Sequence, residues 1–375
     1  MKWLENQRIG SDAIFGCRPL EQLGRIKSML KKLTRNMLAG VATVGLAMSM
    51  GTAIDANAAD GDKTKLRIQT HFSTETLSGQ MAQEFIDDVS AMSNGEIEIE
   101  MFFASSVVKS AETFDAAATG ILDCDMTGGA YQTGKNPAFQ FAGDLTGGYQ
   151  NPYQQYAWLL HGGGYDKLNE LYNANNMEFI GWWIPGPESL SSTKSFKGVD
   201  DLKNWKFRSP PGVITLIFEK LGASPIVMDF NEIFTALETG IIDGADAANI
   251  TNNVGLGLYD IATETNYPGF HSMPADHLAC RKDVWEAMPD HHKAILKVGM
   301  QALGLKNSTI NEVKNAQTAK ELREKGIKLN TWSDEDLAVY RQAVQDSWVE
   351  FATTPESKEL LQSHLDFLRE LGAMK

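Results

Sequence analysis

The sequence predicts an α/β fold of two lobes with a helical C-terminal region, and three observations carry that reading. Strand-like and helix-like segments alternate from Leu66 to about Asn249, the pattern of repeated βα units on mainly parallel sheets with helices on both faces. One unit is echoed at a fixed offset: residues 110–126 read SAETFDAAATGILDCDM and residues 230–246 read FNEIFTALETGIIDGAD, with seven ungapped identities. From Asp283 onward the chain is almost wholly helical, in predicted stretches 287–325, 334–352 and 357–370. The expected division is an N-terminal extension and export signal (1–58) and a two-lobed binding domain (59–375). Within that domain we expect lobe I over about 59–185 with later segments, lobe II over about 186–285, and C-terminal helices over about 286–375 that clasp the lobes or form a homodimer contact.

Leu66–Thr70 alternates like a first strand, and a helix from about Ser78 to Met92 stops at Ser93-Asn94-Gly95. Glu96–Phe103 alternates strictly, which predicts a half-exposed strand. In both echoed units the pattern predicts a helix whose Phe (114, 234) and Ala (116, 236) face the sheet. Gly120 and Gly240 are read as left-handed caps, and Ile121 and Ile241 as starts of buried strands. Asn151-Pro152 opens a helix capped by Gly162-Gly163-Gly164, and Phe179–Ile184 is an apolar strand ended by Pro185-Gly186-Pro187. Lys206-Phe207-Arg208 is a short strand stopped by Ser209-Pro210-Pro211, because two prolines forbid its continuation in a sheet. In open α/β sheets ligands bind beyond the carboxyl ends of strands, so Arg208 and Asp246 are the first candidates for a site.

The first sixty residues differ in kind. Lys31-Lys32-Leu33-Thr34-Arg35 is a basic stretch, Met37–Met50 is an apolar small-residue run, and Ala56-Asn57-Ala58 has the form of a signal-peptidase site. The run is short of the roughly 20 residues of a membrane span. We therefore expect an exported, periplasmic protein cleaved near Ala58, with either Met1 or Met29 as its start. Residues 1–58 hold 8 Lys/Arg and 4 Asp/Glu, which leaves 26 basic against 44 acidic residues and a net charge of −18 in the remainder. So acidic a chain is not expected to bind nucleic acid or an anionic membrane surface. Cys17 lies in the extension; Cys124 and Cys280 are either a disulfide or two buried thiols.

No catalytic set emerges. His161-Gly162-Gly163-Gly164 lacks the G-x-S-x-G elbow that a lipase-type oxyanion loop requires, and there is no H-E-x-x-H, P-loop or G-x-G-x-x-G after a strand. Adjacent His291 and His292 read as solvated residues at a helix start. Arg208 can hold a ligand carboxylate by two parallel hydrogen bonds or pair with a neighbouring acid. Asp246, Asn249 and Glu188 supply oxygens suited to Na⁺ or Ca²⁺, or act as caps and loop solvation. Trp182, Trp183 and Tyr131 serve as cleft wall or sheet core, and the two tryptophans must face opposite ways.

An ordered set of segments then matches a known family: Tyr131…Gly134-Lys135-Asn136-Pro137, Trp158…Gly162-Gly163-Gly164, Phe196-Lys197-Gly198-Val199-Asp200-Asp201-Leu202…Lys206-Phe207-Arg208, Phe234-Thr235-Ala236-Leu237…Gly240…Asp243-Gly244 and Tyr267-Pro268-Gly269. The mature chain resembles the DctP-type solute-binding proteins of TRAP transporters, most closely the branch that binds 2-oxo acids and lactate. That resemblance implies a periplasmic-binding-protein-like (type II-like) fold, no enzymatic activity, a small organic acid as ligand and TRAP membrane permease subunits as partners. It implies that Arg208 clamps the ligand carboxylate. Tyr131, Trp183, Glu188, Asn249, Phe270 and His271 are then expected around the ligand. No cofactor is required, but a bridging Na⁺ or Ca²⁺ is expected at Asp246, Glu188 and Ala247. The chain departs from that branch at Asp246, where glutamate is usual, and at Ala247, where tryptophan is usual. A sulfonate or zwitterionic solute, or a sensing role, are the alternatives; a periplasmic hydrolase would need a nucleophile–base pair.

Overall fold

The computed structural model describes residues 63–374. The expected export signal, its cleavage near Ala58 and the choice of start lie outside the described residues. Eleven strands within that range form two sheets. The first has the order β2 (Ile97–Phe102), β1 (Thr64–Thr70), β3 (Cys124–Met126), β10 (Asp276–Arg281), β4 (Met177–Trp183). The second runs β11 (Lys328–Asn330), β9 (Glu264–Asn266), β5 (Ser189–Ser192), β8 (Gly244–Ala248), β6 (Lys206–Ser209), β7 (Ser224–Val227).

Both sheets are mixed rather than mainly parallel. β1 pairs parallel with β2 and β3, and β6 with β7 and β8, as successive βα units demand. The exceptions are the strands entered from the other sheet: β5 is antiparallel to β8 and β9, and β10 to β3 and β4. A chain leaving the carboxyl end of one sheet arrives at the carboxyl end of the other, so its next strand must run backwards. β10 thus lies in the first sheet although its residues fall within 186–285, and β11 joins the second although it lies beyond 286.

The echoed units have one architecture. A 3₁₀ turn (Ser110–Glu112, Phe230–Glu232) leads into α2 (Thr113–Thr119) or α7 (Ile233–Glu238), and Gly120 and Gly240 follow with φ of 93° and 71°. Ala116 and Ala236 are buried as expected. Ile121 and Ile241, read as strand starts, are instead exposed by 55% and 56%, and the next residues, Leu122 and Ile242, are buried. The left-handed glycine turns the chain so that the second residue after it, not the first, meets the core; the strands begin at Cys124 and Gly244. Phe114 is buried whereas Phe234 is 36% exposed, so the units share a backbone but not every packing contact.

α1 (Leu77–Met92) is capped by Thr76, whose hydroxyl accepts from Gly79 N, and it buries Met81, Ala82, Phe85 and Val89. α10 (Asp290–Glu324) packs on β4, α1 and α8 (Ile250–Gly255). Its buried face runs through Leu296, Met300, Leu303, Asn307, Asn311, Asn315, Thr318 and Leu322, close to helical spacing. The apolar half serves the first sheet; in the Asn-rich half, Asn311 accepts from the Asn249 side chain and Asn315 from Thr251. α11 (Asp334–Phe351) packs on α6 (Val213–Lys220), and α12 (Pro355–Glu370) on α3 (Ala138–Gly143) and α5 (Gly164–Asn173). The C-terminal helices therefore clasp their own chain. Cys124 and Cys280 face each other in the β3–β10 register and form a disulfide.

Candidate functional site

Two loops cross between the sheets, residues 184–188 from β4 to β5 and 267–275 from β9 to β10. They are bonded to each other: Glu188 N donates to Ser272 O at 3.0 Å, and Ser272 Oγ donates to Glu188 Oε2. Gly269 lies so close to the Glu188 carbonyl that any side chain there would overlap it. A cavity of about 70 Å³ opens beside these crossings. His71, Phe72, Tyr131 and Asp276 line it from the first sheet, Arg208 and Asp246–Asn249 from the second, and Glu188 and Ser272 from the crossings.

Arg208 is the penultimate residue of β6, which Pro210 and Pro211 stop after Ser209. It is 2% exposed. Its Nη1 donates to Asp246 O at 2.6 Å, Nη2 to the Tyr131 hydroxyl at 3.3 Å and Nε to Met228 O at 3.3 Å, and Cζ lies 5.7 Å from the Phe230 ring centre. Among the described residues no carboxylate lies within 4.0 Å of the guanidinium. The ion-pair reading of Arg208 is therefore not what the chain does. Burial pushes the Tyr131 phenol up to about 12, so it stays neutral and polar against the arginine.

Three acids gather opposite. Asp246, in mid-β8, accepts from His271 Nε2 at 3.0 Å through Oδ1, while its buried Oδ2 has no partner. The Glu188 carboxylate is 3.8 Å from the same imidazole. Burial, then the nearby Asp246 charge, raises Glu188 well above the usual carboxylate range. Burial also opposes ionisation of Asp246, but His271 and then Arg208 outweigh it and hold Asp246 low. Asp144 is pushed up to about 7, chiefly by burial. One proton is thus retained beside an ionised Asp246. Two buried carboxylates, one oxygen unpartnered, are a donor set that a hard cation such as Na⁺ or Ca²⁺ fits; a histidine nitrogen suits neither and here orients Asp246.

The far wall was not singled out by sequence. His71 follows β1 and is held down to about 3, first by burial and then by Arg208, so it is a neutral imidazole, with Nδ1 unpartnered. Asp276 opens β10, 3.9 Å from His71, and burial raises it well above the carboxylate range. Together they present hydrogen-bonding groups without charge. Both sit at strand ends facing the cavity, so applying the strand-end rule to every strand would have marked His71; Asp276 needed the return of β10 to the first sheet.

Of the expected site residues, the structure gathers Arg208, Tyr131, Glu188, Asp246, Ala247 and Asn249 around the cavity. Asn249 is occupied there: Oδ1 caps α8, and Nδ2 donates to Pro185 O and Asn311 Oδ1. Three others stand off. Trp183 is fully buried and packs edge-on against Phe72, behind the wall. Phe270 packs with Trp332 and Tyr340, drawn there by an aromatic cluster contributed by the C-terminal region. His271 is fully buried and supports Asp246 rather than lining the space.

Residues 68–354 match the family model of bacterial extracellular solute-binding protein, family 7 (DctP). A relative from Nostoc sp., a monocarboxylate 2-oxoacid-binding periplasmic protein, is 28% identical over 315 residues, 81% of this chain and 82% of that protein. A TRAP periplasmic solute-binding protein from Rhodobacter sphaeroides, solved in an apo open form, is 29% identical with a TM-score of 0.65, covering 83% of this chain and 99% of that one. Another from Bordetella bronchiseptica is 25% identical with a TM-score of 0.78, covering 83% and 93%; its structure carries copurified calcium and picolinate.

Proposed function

The chain belongs to the DctP family of bacterial extracellular solute-binding proteins, and from that premise we propose that it captures a small monocarboxylate, a 2-oxo or 2-hydroxy acid, between its two sheets for a TRAP permease. It is a periplasmic solute-binding protein for small organic acids, not an enzyme. Arg208 holds the ligand carboxylate, and Asp246 with Glu188 holds a Na⁺ or Ca²⁺ against it.

The observation that carries this reading is Arg208 itself: a buried cation on a cavity wall with no carboxylate against it among the described residues. Burying a charge is tolerated when a partner neutralises it, and a ligand carboxylate supplies that partner with two parallel hydrogen bonds. The cavity of about 70 Å³ has room for roughly five water-sized positions, the scale of an acid of a few carbons. His71 and Asp276, neutral donors on the far wall, suit a second polar group next to the carboxylate. The 2-oxoacid-binding relative and the calcium in the Bordetella protein support the same chemistry. The two sheets with their flanking helices are read as lobes that close on the acid and exclude water, strengthening the charge pair.

The test is thermal unfolding against a panel of 2-oxo acids, 2-hydroxy acids, dicarboxylates, sulfonates and amino acids, since a ligand that binds only the folded state raises the midpoint. A shift restricted to 2-oxo or 2-hydroxy monocarboxylates is expected. A shift given only by sulfonates or amino acids would replace this ligand class.

A further inference from the structure

A second cluster lies at the opposite end of β1 from the cavity. Thr64 opens β1 and His71 follows its end, so the two places are roughly 20 Å apart at about 3.3 Å per strand residue. At the Thr64 end, Glu96 enters β2, and His291 and His292 begin α10. Glu96 Oε2 lies 3.2 Å from His291 Nε2 and 3.2 Å from His292 Nε2. The three ligand atoms all fall within 4.8 Å of one another. We propose that Glu96, His291 and His292 form a binding site for a first-row transition metal ion of the Zn²⁺ class, independent of the solute cleft.

The geometry suits a bound ion. Zinc bonds nitrogen and oxygen at about 2.0–2.1 Å, so the edge of its coordination tetrahedron is about 3.3 Å. The two carboxylate-to-imidazole distances are already at that length. His292 is fully buried, and its Nδ1 lies 2.8 Å from Thr64 Oγ1. With that nitrogen donating to the hydroxyl, the lone pair is placed on Nε2, facing Glu96; this is the outer-shell bond that metal-binding histidines use to fix their tautomer. The backbone of Glu96 is fixed as well, because Thr64 N donates to the main-chain Glu96 O at 2.9 Å and Glu96 N to Ser93 O at 3.0 Å. One of the three ligands, His292, is therefore positioned by a hydroxyl bond before any ion arrives, and the main chain that carries a second, Glu96, is fixed beside it.

Two imidazoles and one carboxylate select Zn²⁺, Ni²⁺ or Cu²⁺ over Na⁺, Ca²⁺ or Mg²⁺, whose preferred ligands are oxygens. His291 is exposed by 63% and Glu96 by 38%, so the ion has an entry path and keeps a fourth position open to water. The start of α10 opposes a cation by about two- to thirtyfold in affinity, and the Glu96 carboxylate acts against that. Bound metal would pin β1, the entry to β2 and the long helix together.

The experiment is calorimetric titration of ZnCl₂ into tag-free, chelator-treated protein, with Co²⁺ absorption as a second readout of coordination. One equivalent at micromolar affinity is expected, with intense tetrahedral Co²⁺ bands. His291→Ala and Glu96→Gln, both at exposed positions, should each weaken Zn²⁺ at least tenfold and abolish the bands, while Asp246→Asn in the solute cleft should change neither. Absence of Zn²⁺ binding at millimolar concentration would overturn the proposal, as would binding that survives both substitutions unchanged or that is lost in Asp246→Asn alone.

Discussion

Arg208 Nη1 donates to the main-chain oxygen of Asp246 at 2.6 Å, so the buried guanidinium is fastened to the strand that carries the candidate cation ligand. β6 and β8 are hydrogen-bonded neighbours, with Arg208 in register with Ala245. The guanidinium and the Asp246 carboxylate are therefore set side by side by the ladder. A ligand with a carboxylate next to an oxo or hydroxyl oxygen can meet both at once.

Arg208→Ala is expected to cost about 2–5 kcal/mol of binding, at least 30-fold in Kd, because it leaves a ligand carboxylate buried without its partner. Arg208→Lys keeps the charge but loses the fork that also grips Asp246 O and Tyr131, and is expected to bind weakly too. Isothermal titration with the acid found in the thermal screen measures both, with far-UV circular dichroism checking the fold. Wild-type affinity in Arg208→Ala would remove the clamp from the proposal.

His364 on α12 gives a pH-dependent contribution far from the cleft. It is fully buried, donates from Nε2 to Phe141 O at 2.8 Å, and pairs its Nδ1 with the Tyr149 hydroxyl at 2.7 Å. Burial holds its pKa down at about 4, against 6.5 when unfolded. Between those values the unfolded chain binds the extra proton, so the contribution is full above pH 6.5 and is lost as pH falls towards 4. The total is about 3 kcal/mol. Asp144, Glu188 and Asp276 are shifted the opposite way, and comparison with His364→Gln cancels them. Urea unfolding should show the stability difference between wild type and variant rising by roughly 1.4 kcal/mol per pH unit across that window; a flat difference would contradict the burial argument.

Positions set by local sequence were legible. Arg208 stood out at the end of an apolar strand before two prolines and Asn249 in the polar loop after the next strand, whereas Tyr131 was placed near the ligand only by the family resemblance. The echoed helix–glycine units were legible because a left-handed glycine cap constrains the backbone in the same way twice. What depended on chain crossings was not. Asp276 and Asp144 reach the cavity only because β10 returns to the first sheet and the crossing loop packs beside it. Phe270 read as a cleft aromatic because nothing nearby in sequence announces Trp332 and Tyr340, about 60–70 residues later. Trp183 and Trp182 do point opposite ways, but helices cover both faces of that sheet, so neither reaches the cleft.

The Cys124–Cys280 disulfide closes a sequence separation of 156 residues across the centre of the first sheet. Linking so long a loop restricts the unfolded chain, and removal of such a bond typically costs 2–5 kcal/mol. The Cys124→Ala/Cys280→Ala variant is expected to lose about that much in guanidinium unfolding. It should still bind the acid when folded, since neither cysteine lines the cavity. A loss below about 0.5 kcal/mol would mean that the β3–β10 pairing holds without the link.

The cation proposed for Asp246 and Glu188 is tested by what neutralises their shared charge. Glu188 keeps its proton because burial and Asp246 both oppose its ionisation. A hard cation between the two carboxylates would displace that proton, so the affinity for Na⁺ or Ca²⁺ should rise with pH. The measurement is the thermal shift given by the 2-oxo acid after chelation, with Na⁺ or Ca²⁺ restored singly, in a His291→Ala background so that the distant histidine pair takes no part. At a hundredfold excess over Kd the acid should add about 2.7 kcal/mol of stability with the cation present. The gain should be much smaller without it, and Asp246→Asn should abolish the difference between the two conditions. If the shift is the same with and without cation, His271 and the retained proton are sufficient to balance the pocket, and the acid is held by Arg208 alone.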